Sequence, residues 1–118
     1  MRIQLLNLVN SQTSLNKIIE QDLPAVTAFR LGKLAKAVKE ELASIEETRV
    51  KLIQKYGEKE DGTWKVNKNN EVDFHKEMTA LFNEEVELNC DPIKVSDLGE
   101  NFLLSAVDVA NLDVLISE

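Results

Sequence analysis

The stretch LPAVTAFRLGKLAKAVKEELASIEETRVKLIQKYG, Leu23 to Gly57, decides the fold. Leu31, Val38, Ile45 and Leu52 recur every seven residues, and Ala35, Leu42 and Tyr56 lie four further on from the first, second and fourth of these. Leu34 and Ile53 widen the apolar stripe. Lys33, Lys36, Lys39, Glu40, Glu46, Glu47 and Lys51 occupy the other side. Such spacing is that of an amphipathic helix. Asp22 is the expected cap and Pro24 suits the first turn, where its missing N–H costs nothing. Gly57 is the expected stop. A helix from Pro24 to Tyr56 is about 50 Å long at about 1.5 Å per residue. That exceeds the diameter of a compact domain of this length. Part of the stripe must therefore pack against a second copy, or against other helices laid end to end along it. The candidate interface is accordingly Leu31, Leu34, Val38, Leu42, Ile45 and Leu52, with Trp64 beside them in the next segment, and a homo-oligomer is the expected state.

Outward from this helix the signals are shorter. On the N-terminal side, Ile3 and Leu5 alternate as in a short strand. Leu6, Val9, Leu15, Ile18 and Ile19 then take helical spacing, with a break expected near Ser14 in the polar run from Asn10. On the C-terminal side, Glu60-Asp61-Gly62-Thr63 predicts a hairpin turn, and Trp64 and Val66 a short strand. Trp64 either packs inward or anchors a partner. Asn70 is the expected cap of a helix carrying Phe74, Met78, Leu81 and Phe82. Val86, Leu88 and Cys90, and then Ile93 and Val95, alternate as strands do. Ser105-Ala106-Val107-Asp108 has the form of a capping box, starting a last helix through Val109, Leu112 and Ile116. The fold class expected is mainly α (α+β): one long amphipathic helix packed with shorter helices and a small β-hairpin or sheet, in a single domain over 1–118.

Composition agrees. Apolar residues make up 43% of the 118 and aromatics only 5%, so the core must rest on Leu, Ile, Val and Ala. A lone cysteine, Cys90, forbids an intrachain disulfide and makes a reducing compartment the default. The apolar run of residues 1–10 is too short and interrupted for a signal peptide. Nothing approaches the roughly 18 apolar residues of a membrane span. A cytoplasmic location without membrane contact is expected.

The net charge of −7 is unevenly spread. Residues 1–70 hold 12 basic and 9 acidic groups, whereas residues 71–118 hold 2 basic and 12 acidic groups. An acidic half repels phosphate backbones, so duplex binding is disfavoured. The acidic half either keeps the chain soluble or docks on a basic partner or the basic part of another copy.

No catalytic pattern emerges. With one cysteine and one histidine, His75, no closed Cys/His zinc site fits one chain. Cys90 reads as a small buried hydrophobe and His75 as a solvated or capping side chain. Glycines 32, 57, 62 and 99 stand alone, so there is no phosphate-cradling loop. Glu84, Glu85, Glu87 and Asp91, and separately Asn67, Asn69, Glu71 and Asp73, are oxygen-rich, but neither follows a calcium-loop pattern. Arg30, Lys33, Lys36 and Lys39 line one side of the long helix without interleaved aromatics, which favours a solvated face over a nucleic-acid contact. No cofactor, metal or catalytic residue is expected.

The run Leu23-Pro24, Leu31 to Val38, Glu40-Glu41-Leu42, Glu46, Arg49, Leu52 and Lys55-Tyr56-Gly57-Glu58 resembles small uncharacterised proteins of tailed bacteriophages and prophages. So do Glu85-Val86-Glu87-Leu88, Ile93-Lys94-Val95-Ser96-Asp97-Leu98 and Leu112-Asp113. The resemblance covers most of residues 22–116, and its motifs are structural. It implies a phage or prophage accessory protein expressed in a bacterial host cytoplasm. The expected function is a non-enzymatic protein–protein interaction or assembly factor. The alternative is an acidic inhibitor of a host nucleic-acid-binding enzyme that mimics phosphate.

Overall fold

The computed structural model describes residues 1–99 and 103–117. Strand β1 (Arg2–Gln4) leads directly into helix α1 (Leu5–Ile19), and a short turn returns the chain into helix α2 (Ala25–Tyr56). A hairpin of β2 (Gly57–Glu60) and β3 (Thr63–Val66) follows, then helix α3 (Glu71–Phe82), strands β4 (Glu85–Glu87) and β5 (Ile93–Lys94), helix α4 (Ala106–Leu112) and strand β6 (Ile116–Ser117). The fold is mainly α, with three two-stranded sheets among the described residues.

Two of those sheets tie distant segments together. β1 pairs antiparallel with β4, with Ile3 opposite Val86. β5 pairs parallel with β6, with Ile93 opposite Ile116. β2 and β3 close on each other through Asp61 and Gly62, at φ 49° and 80°. Positive φ at both central residues makes this a type I′ turn, whose twist suits a two-residue hairpin.

The length of α2 is accommodated by elongation. The molecule measures 52 × 28 × 24 Å with a radius of gyration of 17.2 Å, against about 13 Å for a compact chain of this size. α1 and α3 both pack along α2, α4 packs on α1, and the hairpin sits at the C-terminal end of α2. The helices are thus laid along the stripe, and they cover it. Leu31, Leu34, Ala35, Val38 and Ile45 are buried together with Leu8, Leu15, Ile18, Leu98, Leu112 and Leu115. Of the expected interface, Leu31, Leu34, Val38 and Ile45 are buried within the chain, packed against its own elements. Leu42 and Leu52 are half-buried. A seven-residue repeat lags a 3.6-residue helix by about 20° per heptad, so Leu52 has turned well away from the line through Leu31.

Several local expectations are corrected. Pro24, in extended conformation, is the N-cap of α2, and no side chain caps it; Asp22 does not. Gly57 is extended, at φ −120°, and is required for space: a Cβ there would collide with the Lys65 carbonyl and, at 2.5 Å, with that of Ile53. α1 does not break at Ser14. Its buried face is Leu5, Leu8, Ser11, Ser14, Leu15 and Ile18, because the two serines are small and satisfied. Ser11 donates to the Leu8 carbonyl at 2.8 Å and Ser14 to Asp108. Leu6 and Ile19 consequently turn outward. Asn70 precedes α3 without capping it; its amide donates to the Tyr56 carbonyl at 3.1 Å and so closes the end of α2. The strand through Val86 stops at Glu87, and Val95 opens a 3-10 turn, Val95–Leu98. α4 ends at Leu112, and Ile116 belongs to β6.

Candidate functional site

The capping box at Ser105 is present, and its acid does more than cap. Asp108, 5% exposed, accepts from the Ser14 hydroxyl at 2.8 Å and from Lys17 Nζ at 2.6 Å, while exchanging 3.1 Å bonds with Ser105. The Lys17 ammonium, then the Ser14 hydroxyl and the Ser105 amide, hold its carboxyl well below the usual carboxylate range. This cluster joins α4 to α1 with every partner used, which marks it as a structural fastener.

The charge asymmetry is in part settled inside the chain. The N-terminal amine pairs with Glu87 at 3.3 Å, Arg2 with Glu85 at 2.6 Å, Lys17 with Asp108 and Lys55 with Glu77 at 3.5 Å. Each joins the basic part of the sequence to the acidic part. The remaining described pairs, Arg49–Glu46 and Lys51–Glu47, lie within α2. Glu85 and Glu87, which share a strand face, are spent on the N-terminus. Among the described residues no group of three or more His, Cys, Asp or Glu side chains is disposed to hold a metal ion.

The lone reactive side chains are plainly placed. Cys90 is half-buried, beside a polar hollow of about 400 Å³ bounded by Arg30, Lys33, Asp91 and Asp97. His75 is exposed and meets the neighbouring Phe74 ring edge-on at 5.5 Å. Trp64 stands on β3 across from Lys59, 42% exposed.

The surface feature that sequence reasoning missed is a groove along the seam of α1 and α2. Two hollows compose it. One, of about 400 Å³, is lined by Ile19, Leu23, Ala28, Leu31, Gly32, Ala35, Lys36 and Lys39, with Gln21 at its end. The other, of about 470 Å³, is lined by Val9, Gln12, Lys39, Leu42, Ala43, Ile45, Glu46, Arg49 and Phe82. Lys39 borders both. The groove exists because the α2 face beside the stripe carries small residues, Ala28, Gly32 and Ala43, which keep its floor low. At Gly32, apart from its chain neighbours and the surrounding helix backbone, no described atom lies within 4 Å of where a Cβ would stand. Of the expected interface, Leu31, Leu42 and Ile45 line this surface, Leu42 half-buried and the other two buried. The signal in the sequence was Ala28-x-x-x-Gly32 flanking the stripe, overshadowed by the stripe itself.

Among the described residues no helix is long and apolar enough to cross a membrane. No protein-family model, curated protein or solved structure matches this chain.

Proposed function

We propose that the chain is a non-enzymatic protein–protein interaction or assembly factor of phage or prophage origin, working in a bacterial cytoplasm, and that it docks its partner in the α1–α2 groove. The supporting observation is the groove: Ile19, Ala28, Gly32 and Ala43 lie open to solvent beside the apolar stripe, on two helices packed on each other. A concave apolar surface between helices is a usual setting for a helical partner segment. The absence of a convergent polar or titratable set in it argues against chemistry at this place.

Affinity capture from a bacterial lysate with the parent chain and with Gly32→Trp tests the reading. The indole fills the first hollow from an open position, so circular dichroism should match the parent and the melting temperature should not fall below it. Proteins retained by the parent and lost from the variant support groove docking. Identical captured sets, or none with either, overturn it.

A further inference from the structure

We infer that the occupant of the α1–α2 groove is an acidic amphipathic helix of a partner protein; this rests on the docking reading above and specifies the chemistry of the partner. Four charged side chains line the two hollows: Lys36, Lys39, Glu46 and Arg49. Arg49 Nε donates to Glu46 at 2.8 Å, so those two neutralise each other. Lys36 and Lys39 have no ion-pair partner among the described residues, although Glu40 lies one turn beyond Lys36. The groove is therefore an apolar trough with two uncompensated positive charges on its rim. Arg30, Lys33, Lys59, Lys65, Lys68, Lys76 and Lys94 also lack a described ion pair, but none of them lines this groove.

An acidic partner gains from such a rim without burying an unpaired charge on the floor. The secondary structure of the partner follows from the walls. Both walls are helices whose backbone groups are internally bonded, so no strand edge is offered for β-addition. A third helix laid along two packed ones is accommodated at about 8–10 Å between axes. From Ala28 to Arg49 the wall runs about 31 Å, which accepts about 20 helical residues. The missing Cβ of Gly32 lets that helix come close at the centre of the first hollow. Its apolar anchors then fall at i, i+3 or i+4, and i+7.

The experiment uses the full chain and two designed, fluorescein-labelled helices of about 20 residues. Both carry Leu on one face; one carries Glu on the other, and one carries Lys. Anisotropy should show the Glu peptide binding at least about tenfold more tightly than the Lys peptide, with affinity falling as NaCl rises from about 50 to about 500 mM. Lys36→Glu/Lys39→Glu should reverse that preference. Its melting temperature should stay at the parent value, because both lysines are exposed. Amide shifts on binding should centre on Gly32, Ala35 and Lys39. Equal binding of the two peptides, a charge-reversed variant that behaves like the parent, or shifts confined elsewhere would overturn the inference. So would a single-stranded oligonucleotide that displaces the Glu peptide, or self-association that the same charge reversal abolishes. Loss of captured proteins in Gly32→Trp together with unchanged peptide preference in Lys36→Glu/Lys39→Glu would leave groove docking standing and remove the acidic partner.

Discussion

The Ser14 hydroxyl donates to Asp108 Oδ1 at 2.8 Å across 94 residues of sequence, and this bond fastens the last helix to the first. The carboxylate is nearly sealed from water, so removing it strands the Ser14 hydroxyl in the α1–α4 contact. Asp108→Ala should lower the melting temperature clearly. Asp108→Ala and Ser14→Ala together should cost less than the two costs added, since they remove one shared bond. The pH dependence has a definite sign. The folded-state pKa of Asp108 is depressed from an ordinary 3.8, so its contribution is fully present above that value and is lost as pH falls through it and below. The stability gap between parent and Asp108→Ala should be flat from about pH 5 to 8 and shrink below about pH 4. Urea unfolding at several pH values measures it, and a gap that widens in acid would refute the assignment.

Burial along α2 predicts a gradient of mutational cost. Leu34 is fully buried and Ile45 is 8% exposed, while Leu52 is half-buried. Leu34→Ala should cost about 2–5 kcal/mol and Ile45→Ala about 2 kcal/mol, at the low end for such truncations. Leu52→Ala should cost about 1 kcal/mol. Ile45→Asp should exceed Ile45→Ala, because a carboxylate is forced into the buried apolar cluster. Lys51→Ala, on the exposed side, should stay within about 0.5 kcal/mol. Denaturant midpoints of the five variants test the order. Equal losses at Leu34 and Leu52 would contradict the packing described here.

The bounds of α2 were legible to within a residue at each end, because its stripe and its flanking Pro24 and Gly57 agree. The hairpin was legible from Asp61-Gly62, and the cap of α4 from Ser105 and Asp108. What was not legible depends on tertiary context. Ser11 and Ser14 look like a break in a one-dimensional reading, yet both are buried, Ser11 bonded to the Leu8 carbonyl and Ser14 to Asp108 of α4. Ile116 has helical spacing from Leu112, but pairing with Ile93 draws it into a strand. The stripe gave the right residues and an unsettled partner: periodicity shows which face is apolar, whereas the packing of α1 and α3 shows what covers it. The groove escaped notice because it lies where side chains are small, and hydrophobic pattern reading is weighted toward large ones.

Gly57 illustrates a glycine held by space. Its φ is one that any residue adopts, but the backbone carbonyls of Lys65 and Ile53 occupy the place of a Cβ. Backbone atoms cannot swing aside as a side chain would. Gly57→Ala should therefore push β3 off α2 and cost about 1–3 kcal/mol, the range for overpacking. Tryptophan fluorescence of Trp64, on β3, reports the displacement directly. An unshifted emission spectrum with unchanged stability would show that the junction is looser than the described contacts.

Gly32 is the opposite case. It sits inside α2 with helical backbone, and apart from its chain neighbours and the surrounding helix backbone no described atom lies within 4 Å of the place of its Cβ. An interior helical glycine costs about 0.5–1 kcal/mol relative to alanine, mostly through backbone freedom in the unfolded chain. No clash offsets that gain here, so Gly32→Ala should raise stability by about 0.5–1 kcal/mol. Urea unfolding of the isolated chain measures this without any partner. The comparison with Gly57→Ala is informative because the substitution is the same and the expected signs are opposite. A destabilised Gly32→Ala would mean that the first hollow is narrower than described and that α1 already closes over this turn. A stabilised one leaves a glycine whose cost the fold itself does not explain, at the floor of a groove bordered by Lys36 and Lys39.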